Sequence, residues 1–419
     1  MKFIVQGLAG KRLAGTIPVL GSKNACLKVF AAAILTSEPV IIKNAPLIED
    51  IFRMRELLAS LGAEVENRGR VFRIVAKNIK TRALDDGIAK SLRASIVLAG
   101  PMLARFGEVQ FSYPGGCVIG KRPIDLFLDG FKKLGARVTS DKQGNRFTVK
   151  AKRLRGANIC FRLVSVGGTE TLMMAATLAA GRTTLHNAAQ EPEIIALADF
   201  LNKCGARIKG AGTNTITVDG VRSLHGGVFQ TPPDRLETGS FAIMGALLGD
   251  KLKITNCNPA HILGVIEHLE SMGASIKKGR TWLEVTRAKK PLPVNLKTHE
   301  YPGFPTDLQA PFAVLLTQAY GTSMLFETVF DGRLTYLEDL NRMGADIVPC
   351  DAHRAVFHGP RSLRDREADA PDLRAGLAFI FAALIAKGES IIHNAYNIDR
   401  GYEKIEDRFS GIGVNIKRV

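Results

Sequence analysis

Six segments of this chain end in the same way: LASLGAEV, FKKLGARV, LNKCGARI, LESMGASI, LNRMGADI and, in degraded form, FSGIGVNI. Their glycines, Gly62, Gly135, Gly205, Gly273, Gly344 and Gly413, lie 68 to 73 residues apart. A period that regular means that one supersecondary unit is built six times. Each glycine closes an amphipathic helix, as glycine does just past a helix end, and leads into a short β-branched strand. Most copies then pass through a polar turn into a second strand, as in ARIKGAGTNTITVDG. Upstream of each glycine an Ala/Leu-rich helix precedes a strand such as TLHNA, KITNC or SIIHNA. The unit therefore reads helix, strand, helix, strand, strand, which predicts an α/β protein with parallel strands inside units and hairpins between them. A boundary within residues 226–234, GGVFQTPPD, leaves three units on either side. Two similar domains follow, and the cleft between similar halves is a favoured place for ligands.

Length and composition agree with this outline. At about 150 residues per domain, 419 residues make two or three domains. Hydrophobic content of 46% and charged content of 23% describe an ordinary soluble protein. The longest apolar run, GLAFIFAALIA at 376–386, lies between Arg374 and Lys387. It falls well short of the ~20 residues of a membrane span. The start, MKFIVQG, lacks a secretory apolar region and reads as a strand. The six cysteines show no C-x-x-C pairing, which points to free thiols in a reducing cytoplasm. A net charge of +17 admits nucleic acid, an anionic membrane surface or small polyanions as partners. No nucleic-acid-binding motif is present, and the Lys and Arg residues are dispersed.

Aligning the units by their glycines orders the chemistry. The start of the second helix carries Arg122 in GKRPID, Arg333 in DGRLTY and Arg400 in IDRGYE. The start of the first helix carries Lys23 in GSKNA, Arg93 in LRASI, Arg235 in DRLETG and Arg374 in DLRAG. Cations normally avoid helix N-termini, which already favour anions through free N–H groups and the macrodipole. Solvated arginines near caps account for any single case; a shared polyanion accounts for the set. The glycine turn of SVGGTE at 165–170 suits backbone contact with a phosphate or sugar. FPTDLQ has the shape of a capping box, with Thr306 as cap and Gln309 three residues on. Asp307 is then either a first-turn acid or, among several arginines, a general base. Cys117 stands in SYPGGCVIGKRPID, a glycine-rich loop with Lys121 and Arg122 adjacent, where cations lower a thiol's pKa. No metal-ligand spacing, Walker A, G-x-S-x-G or G-x-G-x-x-G after a strand appears, and no metal or cofactor is expected. His261 and His268 read as packing or surface residues.

The motifs GSKNA, LRASI, PGGCVIGKRPIDL, SVGGTE, EPEI, DRLETG, FPTDLQ, DGR, DLRAG and IDRGYEKIED run in order from residue 21 to residue 407. In them the chain resembles the UDP-N-acetylglucosamine 1-carboxyvinyltransferases. The resemblance implies the two-domain enolpyruvyl transferase fold, an inside-out α/β barrel of six βαβαββ repeats, three per domain. The first domain would be 22–230 and the second 1–21 with 231–419, the active site lying in the cleft between them. It also implies transfer of enolpyruvyl from phosphoenolpyruvate to the 3′-hydroxyl of UDP-N-acetylglucosamine with release of phosphate, the first committed step of peptidoglycan synthesis. Those two small molecules are the expected partners, with no nucleic acid or membrane, and the chain would be a monomer or weak homo-oligomer in the cytoplasm.

By the same resemblance, Cys117 matches the proton donor to phosphoenolpyruvate C3, which can also add to C2 as a phosphothioketal. Asp307 matches the carboxylate set against the sugar hydroxyl. Lys23, Arg122 and Arg400 match the residues gripping phosphate and carboxylate, supported by Arg333 and Arg374, with Asn24 beside Lys23 among the substrate contacts. Arg93, Arg122, Pro123, Ile124, Asp125, Leu126, Ser165, Val166, Gly167, Asp307 and Val329 match contacts to the nucleotide sugar. Departures are few. Leu163, with Arg162 adjacent, stands where some members carry lysine; Asn397 replaces a histidine, and SVGAT has become SVGGT. The sister family, 5-enolpyruvylshikimate-3-phosphate synthase, lacks the loop cysteine, and its GNAGTA motif is absent here. A catalytically dead, nucleic-acid-binding paralogue would show steeply salt-dependent affinity.

Overall fold

The computed structural model of the chain describes residues 1–115 and 123–419. They divide into two compact units, one made of the described part of 21–232 and the other of Met1–Leu20 with Pro233–Val419. Among the described residues there are six separate sheets, one per repeat. The third is representative: Asn158–Cys160 runs parallel to Arg182–His186, which pairs antiparallel with Thr215–Asp219, and that strand carries Ile208–Lys209. The fifth repeats this pattern with Asn295–Lys297, Gly321–Phe326, Arg354–Gly359 and Ile347–Pro349.

Four sheets depart from it: in the second the leading strand is reduced to a single bridge from Ala83 to Gln110, and three others differ through the course of the chain. The parallel strand of the first, Val40–Lys43, takes its leading neighbour from Gly227–Gln230 at the far end of its own unit. In the fourth, Leu13–Pro18 leads Gly249–Thr255. In the sixth, Glu389–His393 pairs with Lys2–Gln6, which takes the place that the antiparallel strand of the repeat itself holds in the third. N-terminal residues thus complete two of the three sheets in their unit.

The glycines of the period all lie in the left-handed region, with φ between 89° and 103°. After each, the next residue's N–H bonds back to the carbonyl five positions earlier, as Ala63 does to Leu58, Ala206 to Leu201 and Val414 to Phe409. This is the Schellman closure, repeated six times. At Gly135 a Cβ would meet nothing within 4 Å, so the cost of a side chain there is conformational. Gly135→Ala is expected to lower unfolding free energy by about 1–2 kcal/mol, read as a lower urea midpoint at unchanged slope. A wild-type midpoint would contradict this cap assignment.

Two kinds of helix result. Glu49–Leu61 buries Ile51, Met54, Leu58 and Leu61 at the three-four spacing of a one-faced helix. The first helices of the three repeats in the unit with Pro233–Val419 are instead buried nearly all round: every residue of Arg235–Leu248 and Gln309–Leu316, and all but the last of Leu373–Ile385. These three pack on one another through Gln309–Leu316, with the sheets outside them. Such helices must start at the rim of the core, which delivers whatever stands at their first positions to a common end. No helix among the described residues is long and apolar enough to cross a membrane.

Candidate active site

In the unit containing Pro233–Val419, Asp307 sits in the 3-10 turn Thr306–Leu308, leading into Gln309–Leu316. Its Oδ1 accepts from Arg333 Nη2 at 2.9 Å, and its Oδ2 from Arg374 Nε at 3.2 Å. The arginine side chains are only 3% and 5% exposed, whereas the Asp307 carboxylate is 30% exposed and open to a ligand. Arg374 donates from Nη1 to the Tyr402 hydroxyl at 2.7 Å, and that hydroxyl meets Ser240 Oγ at 2.9 Å. Burial disfavours the Arg374 charge, but Tyr402, Asp307 and Asp234 outweigh it, so this guanidinium holds its proton more firmly than usual. Burial pushes the Tyr402 phenol up. Arg374 therefore stays charged, and two fixed cations frame one reachable carboxylate.

The expected capping box at 306–309 does not form. The Thr306 hydroxyl donates to Glu327 Oε2 at 2.7 Å and accepts from Arg333 Nη1 at 2.8 Å. Gln309 accepts from the Tyr336 hydroxyl, and Pro305 holds the cap position. Tertiary partners outcompete the local pattern. Nor do all the cations begin helices. Lys23 and Arg235 are first residues of Lys23–Ala32 and Arg235–Leu248, and Arg374 is second in Leu373–Ile385. Arg93 opens the 3-10 segment Arg93–Leu98. Arg333 lies in a turn four residues before Leu337–Arg342, and Arg400 follows Ala395–Asp399, two residues before Tyr402. Val329 stands in the segment between Glu327 and Arg333, its N–H bonded to Glu327 Oε1 at 2.8 Å.

In the other unit Lys23 pairs with buried Asp50 at 3.1 Å, a partner that the sequence reading did not single out; Asn24 follows it, partly exposed. Ser165 caps Val166–Ala176 by accepting from Gly168 N–H at 3.1 Å, which leaves the first N–H groups of that helix at its open end. A Cβ on Gly167 would lie 3.1 Å from the Phe127 ring, so this helix start abuts the helix Asp125–Lys133. Asp125 is ion-paired with Arg162, which ties the start of that helix to the chain three residues before Ser165. Ile124 is buried, Pro123 and Leu163 are exposed. Arg93 donates from Nη1 to the Pro114 carbonyl at 2.9 Å and stands over the Tyr113 ring, so it braces the chain leading toward Cys117. Cys117 and Arg122 themselves lie outside the described residues. His268 packs edge-on against Phe304 and Phe312. No group of three or more His, Cys, Asp or Glu among the described residues is placed to hold a metal ion.

The sequence profile described as EPSP synthase (3-phosphoshikimate 1-carboxyvinyltransferase) matches residues 8–409. A UDP-N-acetylglucosamine 1-carboxyvinyltransferase from Koribacter versatilis is 43% identical over 100% of this chain and 96% of its own length. One from Klebsiella pneumoniae is 43% identical over 100% of this chain and 99% of its own. The chain belongs to the UDP-N-acetylglucosamine 1-carboxyvinyltransferase family. Its fold is that of the enolpyruvyl transferases. NikO from Streptomyces tendae superposes with a TM-score of 0.89 at 24% identity, covering 99% of this chain and 98% of that one. EPSP synthase from Acinetobacter baumannii superposes with a TM-score of 0.74 at 17% identity, covering 100% of both chains. The phosphoshikimate enzyme thus shares the fold, whereas identity over the whole length lies with the sugar-nucleotide family.

Proposed function

We propose that this chain transfers the enolpyruvyl group of phosphoenolpyruvate to the 3′-hydroxyl of UDP-N-acetylglucosamine, releasing phosphate, as the entry step to peptidoglycan. The observation that carries this is full-length identity of 43% to relatives of that name. Asp307, set between two buried arginines yet open to a ligand, supports the assignment of its base. In the proposed reaction C3 of phosphoenolpyruvate takes a proton from Cys117. The sugar hydroxyl adds to C2 as Asp307 accepts its proton. Loss of a C3 proton and of phosphate from C2 then restores the double bond. Lys23, Arg122 and Arg400 hold phosphate and carboxylate, with Arg333, Arg374 and Asn24 in support. Arg93, Pro123, Ile124, Asp125, Leu126, Ser165, Val166, Gly167 and Val329 hold the sugar nucleotide.

Bound anions need compensating charge. The helix starts at Lys23 and Val166 offer a cation and free N–H groups respectively. Phosphate release is the direct test. It should require phosphoenolpyruvate and UDP-N-acetylglucosamine together, and survive a chelator undiminished. Release with shikimate 3-phosphate in place of the sugar nucleotide, or activity lost to chelator and restored by a divalent ion, would overturn the assignment.

A further inference from the structure

Glu327 belongs to none of the motifs that point to the reaction, yet it stands between two parts of the proposed site. It follows the strand Gly321–Phe326 and is 0% exposed. One carboxylate oxygen, Oε1, accepts the N–H of Val329 at 2.8 Å and of Phe330 at 3.1 Å. The other, Oε2, accepts from the Thr306 hydroxyl at 2.7 Å. That hydroxyl accepts in turn from Arg333 Nη1 at 2.8 Å, and Arg333 Nη2 holds Asp307. The Glu327 backbone is pinned as well: its N–H donates to the His353 carbonyl and its own carbonyl meets His353 Nδ1. A carboxylate so fixed cannot swing to serve one side alone.

We propose that Glu327 is a positioning residue that ties the sugar-contact segment at Val329 to the base at Asp307, so that one buried carboxylate sets both in register. The proposal rests on the assignment of Asp307 and Val329 made above. The two oxygens carry separable tasks. Oε1 shapes the backbone that would meet the nucleotide sugar. Oε2, through Thr306, orients the guanidinium that aims Asp307. Hydrogen bonds to buried charged groups are the strong ones, and each orphaned donor adds a desolvation cost. A pure stability role would lower the melting temperature and leave the kinetic constants of the folded enzyme unchanged.

Glu327→Gln keeps the shape but cannot accept at both ends. Its one oxygen can serve only one arm, so in the folded variant either KM for UDP-N-acetylglucosamine should rise or kcat should fall about tenfold. Thr306→Val cuts only the arm toward Arg333, so kcat should fall about tenfold with that KM held within about twofold, and Thr306→Ser should restore kcat. Wild-type constants in folded Glu327→Gln, or a Thr306→Val variant with normal kcat, would overturn the link. Should Glu327→Gln fail to fold, the Thr306 pair decides alone. Wild-type protein assayed alongside separates the two readings: silence there with both substrates sinks the assigned reaction. Faster amide exchange at 328–330 in Glu327→Met, which has no carboxylate oxygen for either arm, still reports the Oε1 arm.

Discussion

Asp307→Asn should lose roughly 10²-fold or more in turnover. The amide keeps the size of the carboxylate but cannot take the proton of a sugar hydroxyl. It also withdraws the counter-charge from Arg333 and Arg374, whose side chains are 3% and 5% exposed. Guanidiniums that buried tolerate such a loss poorly. The variant should therefore also be less stable, by about 1–3 kcal/mol, the partial exposure of Asp307 keeping the figure below that of a fully buried pair. An acid that only satisfied a helix dipole would cost at most about 1 kcal/mol on removal and little rate. The two roles separate once turnover is taken at a temperature where circular dichroism shows the variant folded. Near-normal turnover there would return Asp307 to a structural role.

What the sequence disclosed follows from what is local. A Schellman closure involves six consecutive residues, so the period from Gly62 to Gly413 was legible, and the helices and hairpins with it. The leading strands were not. Val40–Lys43 meets Gly227–Gln230, and Lys2–Gln6 lies between Glu389–His393 and Ile416–Arg418. Nothing within a window of neighbours encodes such pairings. A shared habit of the parallel strands also went unread. Asn44, Asn187, Asn256 and Asn394 each take a positive φ just past such a strand. The side chains of the first three then donate to the Thr231, Phe161 and Val19 carbonyls beyond the leading strand. At the site, Asp307, Arg333 and Arg374 were legible through their motifs. Asp50, Glu327 and Tyr402 were not, because each matters through a partner at least 20 residues away in sequence. Likewise the buried pair of Lys28 with Glu170, at 2.8 Å, has no local signature. Burial pushes the Glu170 carboxyl up to about 7, against the pull of Lys28.

Cys117 is expected to carry the thiol reactivity of the chain, and the other cysteines show why selectivity is attainable. Cys26 is fully buried, and burial pushes its thiol far up. Cys204 and Cys257 are pushed up to about 11 by the same cause. These three are poor nucleophiles near neutral pH. Among the described cysteines only Cys160 and Cys350 are exposed, and they are the rivals that a labelling experiment must exclude. Cys117 follows two glycines and precedes Lys121 and Arg122, cations that favour thiolate. A proton donor needs the opposite, and bound phosphoenolpyruvate supplies it, since nearby negative charge favours the protonated thiol. A thiol-alkylating epoxide that mimics phosphoenolpyruvate should therefore label Cys117 selectively, and faster with UDP-N-acetylglucosamine present. Cys117→Ser, a much weaker acid, should lose roughly 10²-fold or more in turnover, while Cys117→Asp should retain some, because a carboxylic acid can also deliver a proton. Peptide mapping decides the labelling: modification of Cys160 or Cys350 in place of Cys117 would mean that the acid in this mechanism is another group.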